Sequence, residues 1–353
     1  MLDIKPPPFL KQPNMIRVIY ALVPVLLGAI YFFGWRVLAL VAVSSVAGLL
    51  TEWIMVKSRN GKISMACFVS TMLYGLSLPS TTPFWIAITG IVFGILFGKE
   101  AFGGFGKNIF NPAIVGRAFV YVCFPIELVN SFVPVIGGFP GGFAHWSFTS
   151  MSALPAYLAD SGQSVIDAIS AATPMSAHKG MGFTAPTLEL FLGTIGGVFS
   201  WDNRTVILSA GSAGEVSAAI ILCSALYLIF TKTVMLRLLI SPIIGAVAMN
   251  LFLKYILGLE AAPSVLFTLF SGGLLYASVF MVTEPVSAPK LPLSQWIYGI
   301  FIGVMIVFLR YSSIFPGAVG FSILFGNMVA PSLDLWIKRA QKPKTNPAKG
   351  DAA

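Results

Sequence analysis

Ten stretches of this chain are apolar over most of the length needed to cross a bilayer, and that feature removes most folds from consideration. They run Val18–Phe33, Val37–Val56, Ile63–Leu78, Phe84–Gly98 and Pro112–Phe124, then, after a long gap, Val216–Phe230, Leu238–Leu257, Val265–Val282, Trp296–Leu309 and Ile314–Trp336. A straight helix needs ~20 apolar residues to cross the hydrocarbon core. Several runs fall short, but flanking aromatic and small residues extend them, and broken helices are tolerated where protein covers them. With 57% hydrophobic and 10% charged residues, an ordinary soluble domain is excluded. The segment Met1–Pro8 is polar and proline-rich rather than a cleavable signal, so the first apolar run is expected to stay as an anchor.

A net charge of +9 raises the possibility of nucleic acid, but the basic residues sit in short loops between apolar runs. That distribution is the signature of membrane orientation, so no nucleic-acid partner is expected. Alternating loops collect sixteen basic residues on one side, from Lys5 to Lys349, and five on the other: Arg36, Lys179, Arg204, Lys254 and Arg310. The richer side is expected to be cytoplasmic, with both termini inside and the long middle loop outside.

The halves resemble one another. Phe84-Trp85 opens a glycine-rich helix followed by Asn108-Ile-Phe-Asn-Pro-Ala-Ile-Val-Gly116, and Trp296 opens a similar helix followed by Ser313-Ile-Phe-Pro-Gly-Ala-Val-Gly320. Five helices per half is odd, so the second copy enters the membrane from the opposite side. The expected fold is an all-α polytopic membrane protein of about ten transmembrane helices in two inverted five-helix repeats, which place sites near midplane at interrupted helices. The expected divisions are a first membrane repeat over 1–125, an external or interfacial region over 126–215, a second repeat over 216–337 and a basic tail over 338–353, which is expected to meet lipid headgroups. Within the middle region, Phe143–Phe148 has the composition of a membrane interface, and Leu190–Phe199 reads as an interfacial or re-entrant segment.

Cys67, Cys123 and Cys223 lie far apart inside apolar runs, so they read as small hydrophobes and no metal site is expected from them. His145 and His178 form no ligand pair and read as loop or interfacial residues. Glu52 and Glu127 lie close to the membrane; either suits a cation path, and interfacial placement explains both.

Four segments carry residues suited to chemistry. Ser170-Ala-Ala-Thr173-Pro174 offers two hydroxyls among small side chains, ahead of a proline that ends any preceding helix. Asn108 and Asn111 flank a glycine-loosened helix start, and would share a face if the turn between them is helical. Their carboxamides supply both donors and acceptors. Arg117, one turn further on, is costly in hydrocarbon, so it either faces a polar interior or snorkels to the interface. Gly211-Ser212-Ala-Gly214-Glu215-Val-Ser217 is a glycine-rich turn into a helix, a form of anion site, in which Glu215 also suits the helix dipole. Thr283-Glu284-Pro285-Val-Ser-Ala follows the eighth run.

These segments resemble, in order, the motifs of a membrane-protein family shared by two ion-pumping redox complexes. Its members are RnfD of the Rnf complex and NqrB of the sodium-pumping NADH:quinone oxidoreductase, Nqr. Ser170-Ala-Ala-Thr173 resembles the family's Ser-x-Ala-Thr, which implies FMN attached to Thr173 by a phosphoester, with Ser170 beside it. Gly-Lys107-Asn108-Ile-Phe-Asn111-Pro-Ala resembles Gly-x-Asn-x-x-Asn-Pro-Ala, and the family's non-covalent riboflavin makes Asn108 and Asn111 its candidate ligands. The 211–217 turn is similar to Gly-Ser-x-Gly-Glu-x-Ser, which assigns Ser212, Gly214 and Ser217 to the FMN environment. Thr283-Glu284-Pro285-Val resembles Thr-Asp-Pro-Val, with glutamate in place of aspartate. Arg117 and Glu284 are the candidate charges for a redox or ion site.

The resemblance implies a translocase component of the bacterial inner membrane that relays electrons and has no catalytic residue of its own. The Rnf-type ferredoxin:NAD+ oxidoreductase fits best, because the long N-terminal extension of NqrB is absent; NqrB is the alternative. Implied partners are an external subunit with its own covalent FMN and iron–sulfur membrane subunits, with Na+ or H+ as the coupled ion. A passive channel or transporter is the competing class, since an inverted fold alone serves either.

Overall fold

A computed structural model of the chain describes residues 9–155, 157–158, 172–202, 204–259, 262–313 and 317–341. The chain opens with a short strand, β1 (Phe9–Leu10), and enters α1 (Pro13–Phe33) through a proline in its first turn, where no amide is needed. Then come α2 (Arg36–Lys57), β2 (Ile63–Ser64, parallel to β1), α3 (Met65–Leu76), α4 (Phe84–Gly98), α5 (Pro112–Cys123) and the short α6 (Pro125–Val129). At twelve residues, α3 rises only ~18 Å, well short of the ~30 Å core, and Ser77–Pro83 continues it without helix.

The middle region folds as α7 (Pro174–Met181), α8 (Thr187–Leu192) and an antiparallel hairpin of β3 (Val198–Trp201) with β4 (Arg204–Ile207). The segment Leu190–Phe199 is therefore not one element. Gly193 and Gly197 take φ values of +89° and +102°, which end α8 and turn the chain into a strand, so the apolar residues divide between the two.

The second half contains α9 (Ala218–Phe230), α10 (Leu236–Leu251, prolonged by a wide turn over Phe252–Ile256), α11 (Val265–Phe270), α12 (Leu274–Tyr276, prolonged by a wide turn over Ala277–Met281), α13 (Pro292–Ser312) and α14 (Ala318–Gln341). Among the described residues, six helices are long and apolar enough to cross a membrane. The other runs form shorter helices. The eighth run is interrupted at Ser271–Gly273, where Gly272 takes a φ of +63°. Outward-facing Tyr20, Leu27, Val46 and Ile54 are exposed for lipid to cover, while Leu22, Val25 and Leu40 face the core.

Each half repeats one packing scheme. In the first, α2 lies against α3 and α4, and α4 against α5; in the second, α10 lies against α11 and α13, and α13 against α14. The halves meet through α1 with α9 and α5 with α14. Glycines permit the closest crossings. A methyl at Gly98 would fall 2.9 Å from Pro112 Cα, and one at Gly303 would meet the Pro242 carbonyl and lie 2.7 Å from Ala246 N.

A buried polar cluster marks the corresponding place in each half. In the first, Glu52 of α2 accepts from Ser64 N (3.0 Å) and Oγ (2.9 Å), and Lys99 at the end of α4 pairs with it at 2.7 Å. In the second, Asn250 of α10 bonds Thr268 Oγ1 at 2.8 Å, and Arg310 near the end of α13 donates to Thr268 O at 2.8 Å. Glu52 is thus buried in an ion pair rather than interfacial, whereas Glu127 is exposed on α6. Cys123 and Cys223 are exposed and only Cys67 is buried, so two of the three cysteines face outward from apolar helices. His145 lies in a loop, and His178 bonds Thr184 Oγ1 at 3.0 Å.

Polar links between loops sort them into two sets. Arg36 bonds Ser80 O and Thr82 O, Tyr31 bonds Gly138 O, and Lys179 bonds Arg310 O and Ser313 O. At the other end, Arg17 bonds Thr231 O, Arg59 meets Glu100, and Asp334 accepts from Lys290 N. These two sets are the ones that alternation of the loop charges separates.

Candidate functional site

Two cavities lie toward opposite ends of the molecule. One, named the outer cleft after the side expected to face out, has a volume of about 180 Å³ and is framed by α5, the start of α7, the 211–216 turn, the break before α12 and the end of α13. The inner cavity, of about 240 Å³, lies among the ends of α1, α3, α9 and α12 and the 283–290 loop. Since a water occupies about 30 Å³ of liquid, each has room for a ring system rather than a single ion.

In the outer cleft Thr173 caps α7 and is half-buried; its Oγ1 lies 3.0 Å from Ser176 Oγ and accepts from Ser176 N at 3.4 Å. The helix thus aims its positive end at the Thr173 hydroxyl. Ser170 lies outside the described residues. Arg117 does not snorkel. It is buried, with Nη1 2.7 Å from Glu215 Oε1, Nη2 3.3 Å from Ser212 Oγ, and its guanidinium 5.4 Å from the Tyr121 ring centre.

The 211–217 turn works differently from a free anion cradle. Ala213 N donates to Leu78 O (3.0 Å), Gly214 N to Leu76 O (2.7 Å) and Glu215 N to Ser212 O (3.0 Å). The first two of these amides thus satisfy carbonyls left open at and just beyond the end of α3, and the third closes the turn on itself. What the turn presents to the cleft is side chains, Ser212 and Glu215. Gly214 and Ser217 lie behind this wall: Gly214 packs on Leu76 and Tyr276, and Ser217 caps α9 and donates to Phe191 O at 3.3 Å.

Two further cations reach the cleft that motif reading does not assign. Arg310 is buried and donates to Thr268 O and, at 3.0 Å, to Ser271 O, which splints the broken eighth run. No carboxylate pairs with it among the described residues. Lys179, on α7, donates to Arg310 O at 3.1 Å. Gly272 and Gly273 form part of the wall, and a methyl at Gly273 would fall 2.5 Å from Glu215 Oε1. The signals for these residues were an arginine at the end of an apolar run and a Gly-Gly pair inside one.

At the inner cavity the paired asparagines separate. Residues 108–111 are not helical, so the two side chains share no face. Asn111 lines the cavity; its Oδ1 caps α5 through Ala113 N (3.0 Å) and its Nδ2 lies 3.4 Å from Met281 O. Its amide donates to Asn327 Oδ1 at 3.2 Å, and Asn327 reaches Tyr298 OH at 2.8 Å, joining the halves. Asn108 stands behind the wall, bonding Phe110 O at 3.1 Å and approaching Glu284 Oε1 at 3.5 Å. Glu284 lines the cavity and accepts from Ser287 Oγ at 2.7 Å, so Arg117 and Glu284 belong to different sites.

The donor sets differ in kind. The outer cleft joins three cations, the Glu215 carboxylate and the hydroxyls of Thr173, Ser176, Ser212 and Ser313 to apolar walls such as Met175, Ile195 and Phe270. That suits an anionic group on a flat apolar body. The inner cavity sets amides and hydroxyls of Asn14, Ser70, Asn111 and Thr283, together with the charges of Glu284, Lys232 and Lys290, among Leu73, Val69 and Phe280, which suits a ring with polar edges.

The sequence profile of the NQR2, RnfD, RnfE family matches residues 10–342. The RnfD protein of an ion-translocating oxidoreductase complex from Shewanella amazonensis is 32% identical over 344 residues, covering 92% of this chain and 91% of that protein. Its counterpart from Aeromonas hydrophila is 30% identical with 92% of each covered. The NqrB protein of a Na(+)-translocating NADH-quinone reductase from Azotobacter vinelandii is 31% identical over 318 residues, covering 89% of this chain but 68% of the relative.

Proposed function

The chain belongs to the NQR2, RnfD, RnfE family and is one subunit of an ion-translocating oxidoreductase complex, and on that premise we propose that it is a membrane flavoprotein of the Rnf type. In this reading FMN is joined to Thr173 by a phosphoester and riboflavin sits non-covalently in the inner cavity. The near end-to-end match to RnfD relatives favours Rnf over Nqr.

The observation that carries the reading is the meeting of Thr173 with Lys179, Arg310 and Arg117 at one cleft. A phosphate on Thr173 Oγ1 is stabilised by the start of α7 and by nearby cations. Arg117 already has a carboxylate partner, so Arg310 and Lys179 supply the unmatched positive charge. Gly272 and Gly273 let the Arg310 guanidinium and the Glu215 carboxylate lie close against the backbone of the cleft wall. Asn111 and Thr283 offer hydrogen bonds to the edge of a neutral ring in the inner cavity, and Glu284 places an acid beside it. The flavins supply one-electron chemistry; the protein holds them in place and tunes them through these groups.

Bound flavins would supply an electron relay here, with an external subunit carrying its own covalent FMN and iron–sulfur membrane subunits as partners and Na+ or H+ as the coupled ion. The termini lie in the cytoplasm and the protein resides in the bacterial inner membrane. The test is Thr173→Ala, produced with the flavin-attaching enzyme. Covalent flavin fluorescence in a denaturing gel is expected to vanish while the protein still assembles into its complex, and Ser170→Ala is expected to weaken it. Persistent fluorescence in Thr173→Ala sinks the reading, and a purified complex with no flavin at all returns the chain to the channel or transporter class.

A further inference from the structure

We propose that Tyr276 and Phe280 form the through-protein bridge by which an electron crosses from the outer cleft to the inner cavity. The proposal rests on the two-flavin reading above. Besides the sixth run, which reaches the outer cleft at Val216 and the inner cavity at Leu228 with only the exposed Tyr227 as a ring between them, two segments contribute to both cavities. One is α5, with Asn111 at the inner cavity and Arg117 at the outer cleft. Between them lie Pro112, Ala113, Ile114, Val115 and Gly116, none carrying an aromatic ring. The other is the broken eighth run, with Gly272 and Gly273 at the outer cleft and Val279, Phe280 and Thr283 at the inner cavity. Phe280 lies seven steps along the chain from Gly273, which at helical rise is ~10 Å.

That distance is filled by rings. Tyr276 is fully buried, and its ring centre lies 5.3 Å from that of Phe280, with the planes at 52°. On the outer side its Cε2 lies 3.2 Å from where a methyl at Gly214 would fall, so the glycine lets the ring lie against the turn that carries Ser212 and Glu215. On the inner side its hydroxyl donates to Leu73 O at 3.3 Å, and Leu73 and Phe280 both line the inner cavity. Electron transfer through protein weakens exponentially with the gap crossed, and atoms at crystal-like packing density shorten the effective gap relative to a void.

The step is simple to balance. One electron leaves the reduced outer flavin, oxidising it by one electron, and reduces the oxidised inner flavin by one; no bond to the protein forms or breaks. Tyr276 is a medium and not a carrier. Its hydroxyl faces a backbone carbonyl, which accepts a hydrogen bond but takes no proton, so the ring is not set up to be oxidised and restored. The ring matters and the hydroxyl does not.

The experiment uses the whole purified complex with Tyr276→Leu, Phe280→Leu and, as the conservative rescue, Tyr276→Phe. Covalent flavin is read in a denaturing gel, non-covalent flavin after acid extraction, the midpoint potential of each flavin by redox titration, and inter-flavin transfer by rapid-mixing absorbance. Each leucine variant is expected to slow transfer several-fold, Tyr276→Leu with both flavins retained and both potentials at wild-type values, and Tyr276→Phe to restore the wild-type rate. Wild-type rates in both leucine variants overturn the bridge. So do loss of a flavin or a displaced potential in Tyr276→Leu, which makes that ring the wall of a site, and slow transfer in Tyr276→Phe. A wild-type complex without two flavins defeats the underlying reading, which is a separate result from a two-flavin complex indifferent to these rings.

Discussion

The tightest charge pair in the outer cleft joins two residues 98 positions apart, Arg117 and Glu215. Breaking a buried pair by removing one partner leaves an uncompensated charge, which costs about 3–5 kcal/mol, whereas removing both is far milder. Arg117→Met is therefore expected to lower the thermal midpoint in detergent strongly, and Arg117→Met with Glu215→Met to recover much of the loss. An additive double variant would show that the pair contributes no coupling. At this scale local motifs marked residues that the fold brings to the cavities: Thr173, Ser212, Glu215, Arg117 and Asn111 all line one or the other. Lys179 and Arg310 were not legible as site residues, because their meeting depends on a contact spanning 131 positions. Asn108 read as Asn111's partner only on the premise of a helical turn, and the chain instead starts its helix at Pro112.

At the scale of elements, apolar runs marked the helices well because lipid enforces one hydrogen-bonding solution. The β3–β4 hairpin escaped notice, since four-residue strands in an amphipathic loop leave no periodic signal long enough to separate from an interfacial helix. The interruption at Ser271–Gly273 was visible only as a Gly-Gly pair, and what stabilises it, Arg310, lies on another helix. Close crossings depend on glycine in a testable way. A side chain at Gly303 meets backbone atoms of α10, which cannot give way as a rotamer does, so Gly303→Val is expected to cost at least the ~1–3 kcal/mol of core overpacking. Gly320→Ala would meet only Ile114 Cγ2 at 3.9 Å and is expected to be neutral. Thermal midpoints and the yield of monodisperse protein in detergent check both, and equal tolerance at the two positions would refute the crossing argument.

For the whole molecule, the sorting of loop contacts into two sets makes orientation a single question with one answer. A reporter fused at the C-terminus is expected to read cytoplasmic and one placed near Lys179 external; both on the same side would overturn the alternating arrangement. The overall architecture was legible because each half repeats the other's order of helices. The Arg117–Glu215 pair then carries a consequence for biogenesis. Arg117 belongs to α5, and its partner emerges from the ribosome 98 residues later. At about 5–20 residues per second that is an interval of roughly 5–20 s in which the arginine has no acid to face. A twelve-residue helix, too short to cross alone, can wait with its charged turn near the surface, where a full-length span would have to carry the charge into hydrocarbon. The shortness of α5 thus makes the order of synthesis compatible with a buried ion pair, and ties the final seating of the first half to the arrival of the second.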